Sequence, residues 1–172
     1  MRNVWVLPSA RETEQLGAAL ARGCPVGSLD ARLLFLSGEL GAGKTTLAAA
    51  LLQALGVQEA VRSPSYALIE TYTLPALQAV HIDLYRLQGA QELEQLGVRD
   101  YLNPQTLLLI EWPERAARAL PVPDLAVQLE LAAQGPLHGR RCRIEARSPA
   151  GEAWLALTGQ LLPPMPDLTC QI

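Results

Sequence analysis

"LFLSGELGAGKTT" (residues 34–46) runs from an apolar stretch into a glycine-rich loop that ends on the only lysine of a 172-residue chain. Of its 14 basic residues, 13 are arginine and one is Lys44. Gly38, Gly43, Lys44 and Thr45 satisfy G-x-x-x-x-G-K-[ST], with Gly41 as an additional glycine. Each residue type has a physical reason. Glycines allow a backbone nest whose N–H groups point at phosphate oxygens. A helix opening near Lys44 adds its positive dipole end. Lys44 is a compact ammonium on a thin stem, which a planar guanidinium does not replace at the β- and γ-phosphates. Thr45 offers its hydroxyl to Mg²⁺. The loop from Gly38 through Glu39, Leu40, Gly41, Ala42, Gly43, Lys44 and Thr45 to Thr46 is therefore the expected nucleotide cradle.

The flanks set the fold class. "ARLLFLS" (31–37) has the pattern of a buried strand, and "TTLAAALLQALG" (45–56) that of a helix closed by Gly56. That helix is apolar on nearly every face and should lie inside. Further out, "VWVL" (4–7) predicts a short strand, and Ser9 with Glu12 a capping box opening a helix. "YALIETYTL" (66–74) and "LQAVHIDLYRL" (77–87) predict a hairpin turning at Pro75. "GAQELEQLG" (89–97) predicts a short helix, and "TLLLIEW" (106–112) a central parallel strand ending in an acid. "LAVQLELAA" (125–133) and "RRCRIEAR" (140–147), separated by Gly135, Pro136 and Gly139, predict a second hairpin. A final helix is expected over 149–161. The expected fold is an α/β, three-layer P-loop NTPase sandwich whose mixed sheet carries antiparallel hairpin additions. Residues 1–162 should form one domain and 163–172 a tail with little to pack.

Composition narrows the function classes. Hydrophobic residues make up 49 % of the chain and charged ones 18 %, with a net charge of −3. A chain of that charge does not bind nucleic acid by its bulk field, so no direct DNA binding is expected. Cys24, Cys142 and Cys170 show neither zinc spacing nor a disulfide framework, which suggests free thiols in a reducing compartment. Four apolar residues before Pro8 are too few for a signal-peptide core, and no stretch approaches a membrane span. A cytoplasmic location is expected.

Guanine recognition through N-K-x-D would need a second lysine, and no D-x-x-G occurs, so ATP is the expected nucleotide. Two acids could complete a magnesium site. Glu111 follows four apolar residues, where a Walker B acid stands. Asp83 ends "AVHID", a weaker strand that could lie toward the sheet edge. It could equally be a solvated strand end or a partner for Arg86. Ser63 and Ser65 flank Pro64, where a loop hydroxyl could sense the γ-phosphate or simply form a Ser-Pro turn. His81 alternates with Asp83 and reads as a structural histidine. Trp112 either walls the site or packs. Arg140, Arg141 and Arg143 suggest a solvated hairpin face from which one residue could reach a phosphate.

In order and spacing, "LSGELGAGKTT", "VRSPSYALIETY", "HIDLYRL", "ELEQLGVRDYL" and "LLIEWPERA" together resemble the TsaE (YjeE) family. These are the small ATPases of bacterial tRNA threonylcarbamoyladenosine synthesis. The resemblance implies an ATPase, Mg²⁺-dependent and weak alone, that works with a TsaB–TsaD-like pair. That pair modifies the adenosine next to the anticodon, so tRNA would be met only through the complex. The resemblance further implies nucleotide contact along Gly38–Thr46, with Thr45 and Glu111 as metal ligands. It places Asp83 near the metal and phosphates, and Lys44, Asp83 and Glu111 as the catalytic set. The family's S-P-T block appears as Ser63-Pro64-Ser65, which loses a methyl and keeps the hydroxyl. The segment around Leu7 and Ser9, and Arg140, resemble further nucleotide contacts. Two other functions share the length and fold, namely a small-molecule or nucleoside kinase and a nucleotide-dependent binding module without useful turnover.

Overall fold

The strand over Thr106–Glu111 is buried at every position, and the rest of the sheet is arranged around it. The computed structural model describes residues 1–25, 30–131 and 139–162. In chain order the strands are β1 (Arg2–Leu7), β2 (Arg32–Gly38), β3 (Ile69–Thr73), β4 (Gln78–Asp83), β5 (Thr106–Glu111), β6 (Leu125–Leu131) and β7 (Arg140–Ala146). The helices are α1 (Ala10–Gly23), α2 (Lys44–Leu55), α3 (Ala90–Gln95) and α4 (Pro149–Leu161), with 3₁₀ turns at Val98–Tyr101 and Pro113–Ala116. The sheet has seven strands in the order β1-β7-β6-β2-β5-β4-β3. β4, β5, β2 and β6 run parallel, and β3, β7 and β1 are antiparallel additions. The expected mixed sheet with hairpin additions is present.

Alternation along the strands separates two cores. Leu107 and Leu109 join the larger one with Leu34, Leu36, Leu47 and Leu51 beneath α1, α2 and α4. Leu108 and Ile110 face the other way, against Leu84, Leu87, Leu93 and Val98. The three layers are thus unequal, because the second cover is made of α3, two 3₁₀ turns and the segments around them, Leu84 and Leu87 included. As expected, α2 is inside, buried along Leu47, Ala48, Leu51 and Leu52. α1 opens on the Ser9–Glu12 capping box and crosses α2 at Gly17, where a Cβ would stand 2.6 Å from the Leu47 carbonyl oxygen. Trp154 ties α4 to α1 by donating its indole N–H to Leu20 O at 2.8 Å.

Several boundaries differ from expectation. β3 starts at Ile69 rather than Tyr66. Leu68 is left-handed at φ 65°, and its N–H bonds to Pro64 O at 2.6 Å while its carbonyl accepts the Asp83 N–H at 3.0 Å, so residues 64–68 close a turn that leads into the strand. β4 stops at Asp83 rather than running on to Leu87. There the Asp83 carboxylate takes the Tyr85 N–H at 2.9 Å, and the Leu84 N–H turns to Glu111 O at 3.1 Å. β4 does lie toward the sheet edge, one strand in from it between β5 and β3, but it is well covered, with only its first residue partly open. β1 begins earlier, at Arg2, because β7 offers it a full antiparallel register. The second hairpin's turn, Gly135 and Pro136, and the tail over 163–172 with Cys170, lie outside the described residues. Burial raises the Cys142 thiol pKa and pushes that of Cys24 up to about 12, so both are held as unreactive thiols. Among the described residues no helix is long and apolar enough to cross a membrane.

The α1–α2 crossing gives a test with an inverted sign. Alanine is normally the better helix residue by about 1 kcal/mol. At Gly17 the added methyl meets α2 backbone, so Gly17→Ala should instead destabilise by about 1–3 kcal/mol. The urea midpoint of the variant against the parent checks this, and a stabilised variant would refute the close crossing.

Candidate nucleotide and metal site

The site stands at the carboxyl ends of the parallel strands, the usual place for ligands in open α/β sheets. β2 delivers the loop. Gly38, Gly41 and Gly43 have φ values of 139°, 79° and 102°, conformations that L side chains avoid. At Gly38 space is closed as well, because a Cβ there would lie 2.2 Å from Leu129 O on β6. Gly43 caps α2 without a side-chain bond, which leaves the helix N-terminus open toward the loop.

Lys44, first residue of α2, turns its ammonium back into the loop. Nζ donates to Gly38 O at 2.7 Å and Glu39 O at 2.9 Å, and stands 3.9 Å from the Trp112 ring centroid. Burial pushes its pKa below the ordinary lysine range, while Glu111, Glu114 and Asp83 pull it back up. Trp112 reaches this position from a left-handed backbone at φ 58°, an uncommon conformation for a bulky residue and one that gathers at functional sites. Its N–H bonds to Leu36 O at 3.1 Å, and its ring meets Tyr85 at 5.0 Å.

The two acids come from neighbouring strands in register, Asp83 of β4 beside Glu111 of β5. Both are buried, at 3 % and 1 % exposure, which is costly unless donors or a cation meet them. Glu111 has donors at both oxygens, His81 Nε2 at 2.9 Å from Oε1 and Thr45 Oγ1 at 3.1 Å from Oε2. Asp83 accepts from the Ser63 hydroxyl and from Tyr85 N. The Ser-Pro turn is therefore tied directly to an acid at the strand end.

A cleft of about 400 Å³ is lined by Lys44, Thr45, Ser63, Asp83, Glu111 and Arg140, among others. Leu40, Gly41, Gly43, Thr46 and Ser65 also line it, whereas Glu39 contributes its backbone and Ala42 is buried in the larger core. Arg140 crosses the loop with Nε only 2.8 Å from where a Gly43 Cβ would stand, and that Nε has no partner among the described residues. Arg141, next on β7, is exposed. Ser9 does not join the cleft, because its hydroxyl is committed to the capping box with Glu12 at 2.7 Å and Arg11 N at 3.1 Å. Arg86 stacks on Tyr66 at 4.1 Å rather than pairing with Asp83. Tyr85 was not singled out by the sequence. The available signal was its place two residues after Asp83, where a carboxylate commonly captures a backbone N–H.

The donor set is hard oxygen, a hydroxyl and two carboxylates, which suits Mg²⁺. Among the described residues no group of three or more Asp, Glu, His or Cys could hold a metal by itself. An ion here would take most of its ligands from phosphate and water, as Mg²⁺ usually does.

Comparisons with known proteins give the family and the fold. The family model described as "Threonylcarbamoyl adenosine biosynthesis protein TsaE" matches residues 7–142. A protein of Haemophilus influenzae named tRNA threonylcarbamoyladenosine biosynthesis protein TsaE is 45 % identical over 98 residues, 57 % of this chain and 62 % of that protein. The Treponema pallidum protein of the same name is 32 % identical over 127 residues, 74 % of this chain and 90 % of its own length. The crystal structure of Bacillus subtilis YdiB superposes with a TM-score of 0.76 at 24 % identity, covering 93 % of this chain and 95 % of that one. That likeness shows a shared fold.

Gly38→Ala tests the loop geometry. The methyl would meet the β6 backbone from a strained φ, so the variant should lose about 2–4 kcal/mol of stability together with nucleotide binding. Denaturant midpoints and calorimetric ADP titration are the measurements. Parent-like results in both would contradict the described loop.

Proposed function

Because this chain belongs to the TsaE family, we propose that it is the ATP-binding and ATP-hydrolysing accessory protein of tRNA threonylcarbamoyladenosine biosynthesis. It acts with a TsaB–TsaD-like pair, and meets tRNA only through that complex. The observation that carries the reading is the convergence of Lys44, Thr45, Glu111 and the Ser63–Asp83 pair on one cleft at the strand ends.

Each residue has a part the geometry supports. Lys44 leaves the Gly38 and Glu39 carbonyls for the β- and γ-phosphates, so ATP takes over the charge those carbonyls hold. Thr45 and Glu111, already converging, would hold Mg²⁺ directly or through water. Bound Mg²⁺ would supply charge neutralisation across the transferred phosphoryl group. Asp83 orders water and, through Ser63, the segment Arg62–Tyr66. Arg140 lines the cleft and has no partner at Nε among the described residues, which leaves its guanidinium to meet a phosphate oxygen. Gain and loss of the γ-phosphate then shift Ser63, which otherwise bonds Asp83, and Ser65 beside it, which changes the surface that carries Tyr66, 85 % exposed. Such a change drives partner exchange only if ATP and ADP states differ in affinity for the partner.

Two measurements follow. Lys44→Ala should fold normally and lose about 10²-fold or more in hydrolysis. Lys44→Arg should fail alike, because the ammonium fits between two carbonyls and an indole face. Parent-rate hydrolysis by either would refute the assignment. Separately, hydrolysis and complex formation are measured with purified TsaB–TsaD-like partners under ATP, ADP and no nucleotide. Weak activity alone and stimulation in the complex are expected. Equal partner affinity in all three states, with no change in rate, would remove the switch.

A further inference from the structure

His81 is fully buried among apolar neighbours on β4 and has no part in the reaction as described. A polar ring in such a strand costs desolvation unless a partner compensates it. The compensation is a single bond, Nε2 to Glu111 Oε1 at 2.9 Å. The other ring nitrogen, Nδ1, is buried without a partner among the described residues. A carboxylate only accepts, so the proton of this bond is on Nε2. A histidine retained for packing alone would not need to point one nitrogen at a buried acid and leave the other unmet.

The register explains the reach. His81 is paired with Leu109, one pleat before Glu111 on the same face, so its ring crosses diagonally to the carboxylate. Glu111 is then gripped from two sides, by an imidazole from β4 and by the Thr45 hydroxyl from α2. These grips are not equivalent. Thr45 is itself a metal donor in the proposed function, so its hydroxyl would be shared with the ion. His81 stays.

We propose that His81 is the positioning residue of the metal site, anchoring Glu111 Oε1 so that Oε2 faces Thr45 and the magnesium ion. This rests on the reading of Glu111 and Thr45 as the metal-holding pair. Without the anchor, the carboxylate of Glu111 is free to rotate about its side-chain bonds, and the ion meets it in a correct orientation only part of the time.

The test compares the full-length parent with His81→Leu and His81→Gln, since a glutamine amide can donate from near the Nε2 position. ADP binding is followed by calorimetry in Mg²⁺ and in EDTA, and Mn²⁺ binding to the ADP complex by electron paramagnetic resonance. His81→Leu should weaken Mn²⁺ binding about 10–100-fold and leave ADP affinity in EDTA unchanged, and His81→Gln should recover most of the loss. Equal losses with and without metal, no loss at all, or a glutamine variant no better than leucine would overturn the proposal. If parent ADP binding does not respond to Mg²⁺, the metal reading itself falls and the positioning role with it. Should His81→Leu not fold, ¹⁵N spectra of the parent ring decide, with His138→Gln used for assignment because the chain has only 2 histidines. An Nε2–H tautomer whose shifts move on adding Mg²⁺ and ADP is expected. An Nδ1–H tautomer refutes the anchor.

Discussion

The parallel pairing of β4 with β5 is the constraint on which the site depends. It sets Asp83 beside Glu111, and the pairing of β5 with β2 sets Glu111 beside Leu36, two residues before the loop begins at Gly38. A slip of one residue in either pair would turn an acid to the opposite face of the sheet, away from Lys44 and Thr45. The all-buried β5 makes such a slip expensive, because Leu107 and Leu109 would exchange cores with Leu108 and Ile110. Core packing thereby holds the acids in position.

The buried charges are balanced locally. Lys44 is answered by loop carbonyls and an indole face, Glu111 by a hydroxyl and an imidazole, and Asp83 by a serine and a backbone N–H. Nearly all of these partners are groups that a nucleotide and its cation could replace. The bonds that hold the site in shape are therefore the ones that ligand binding would exchange. The exchange reaches the surface through Ser63, whose turn ends at the left-handed Leu68. The His81–Glu111 bond differs, being buried behind the site on rigid strands.

Features encoded by neighbours in sequence were legible. The strand–loop–helix around Gly38–Thr46 follows from residue types within a dozen positions, and so does the Ser9–Glu12 capping box. Glu111 at the end of a central strand was also readable, since an unbroken apolar run ending in an acid has few other places in an α/β fold. Asp83 was underrated for a physical reason. Its strand looks weaker in isolation, and only the pairing with β5 and the cover from β3 bury it. The Ser9 hydroxyl forms the cap of α1 that its spacing to Glu12 predicts.

The amino-acid sequence by itself determined the phosphate cradle, the lysine that fills it and the α/β class, because each is fixed by local backbone conformation and side-chain chemistry. Tertiary structure alone decided which distant groups meet there. His81 reaches Glu111 only through the β4–β5 register, and Arg140 lies over Gly43 only because β7 returns beside β6 and β1. These contacts join residues 30 to nearly 100 positions apart, and no local propensity encodes them. They exist because two hydrophobic cores, one on each face, fix the strand order and register of the sheet.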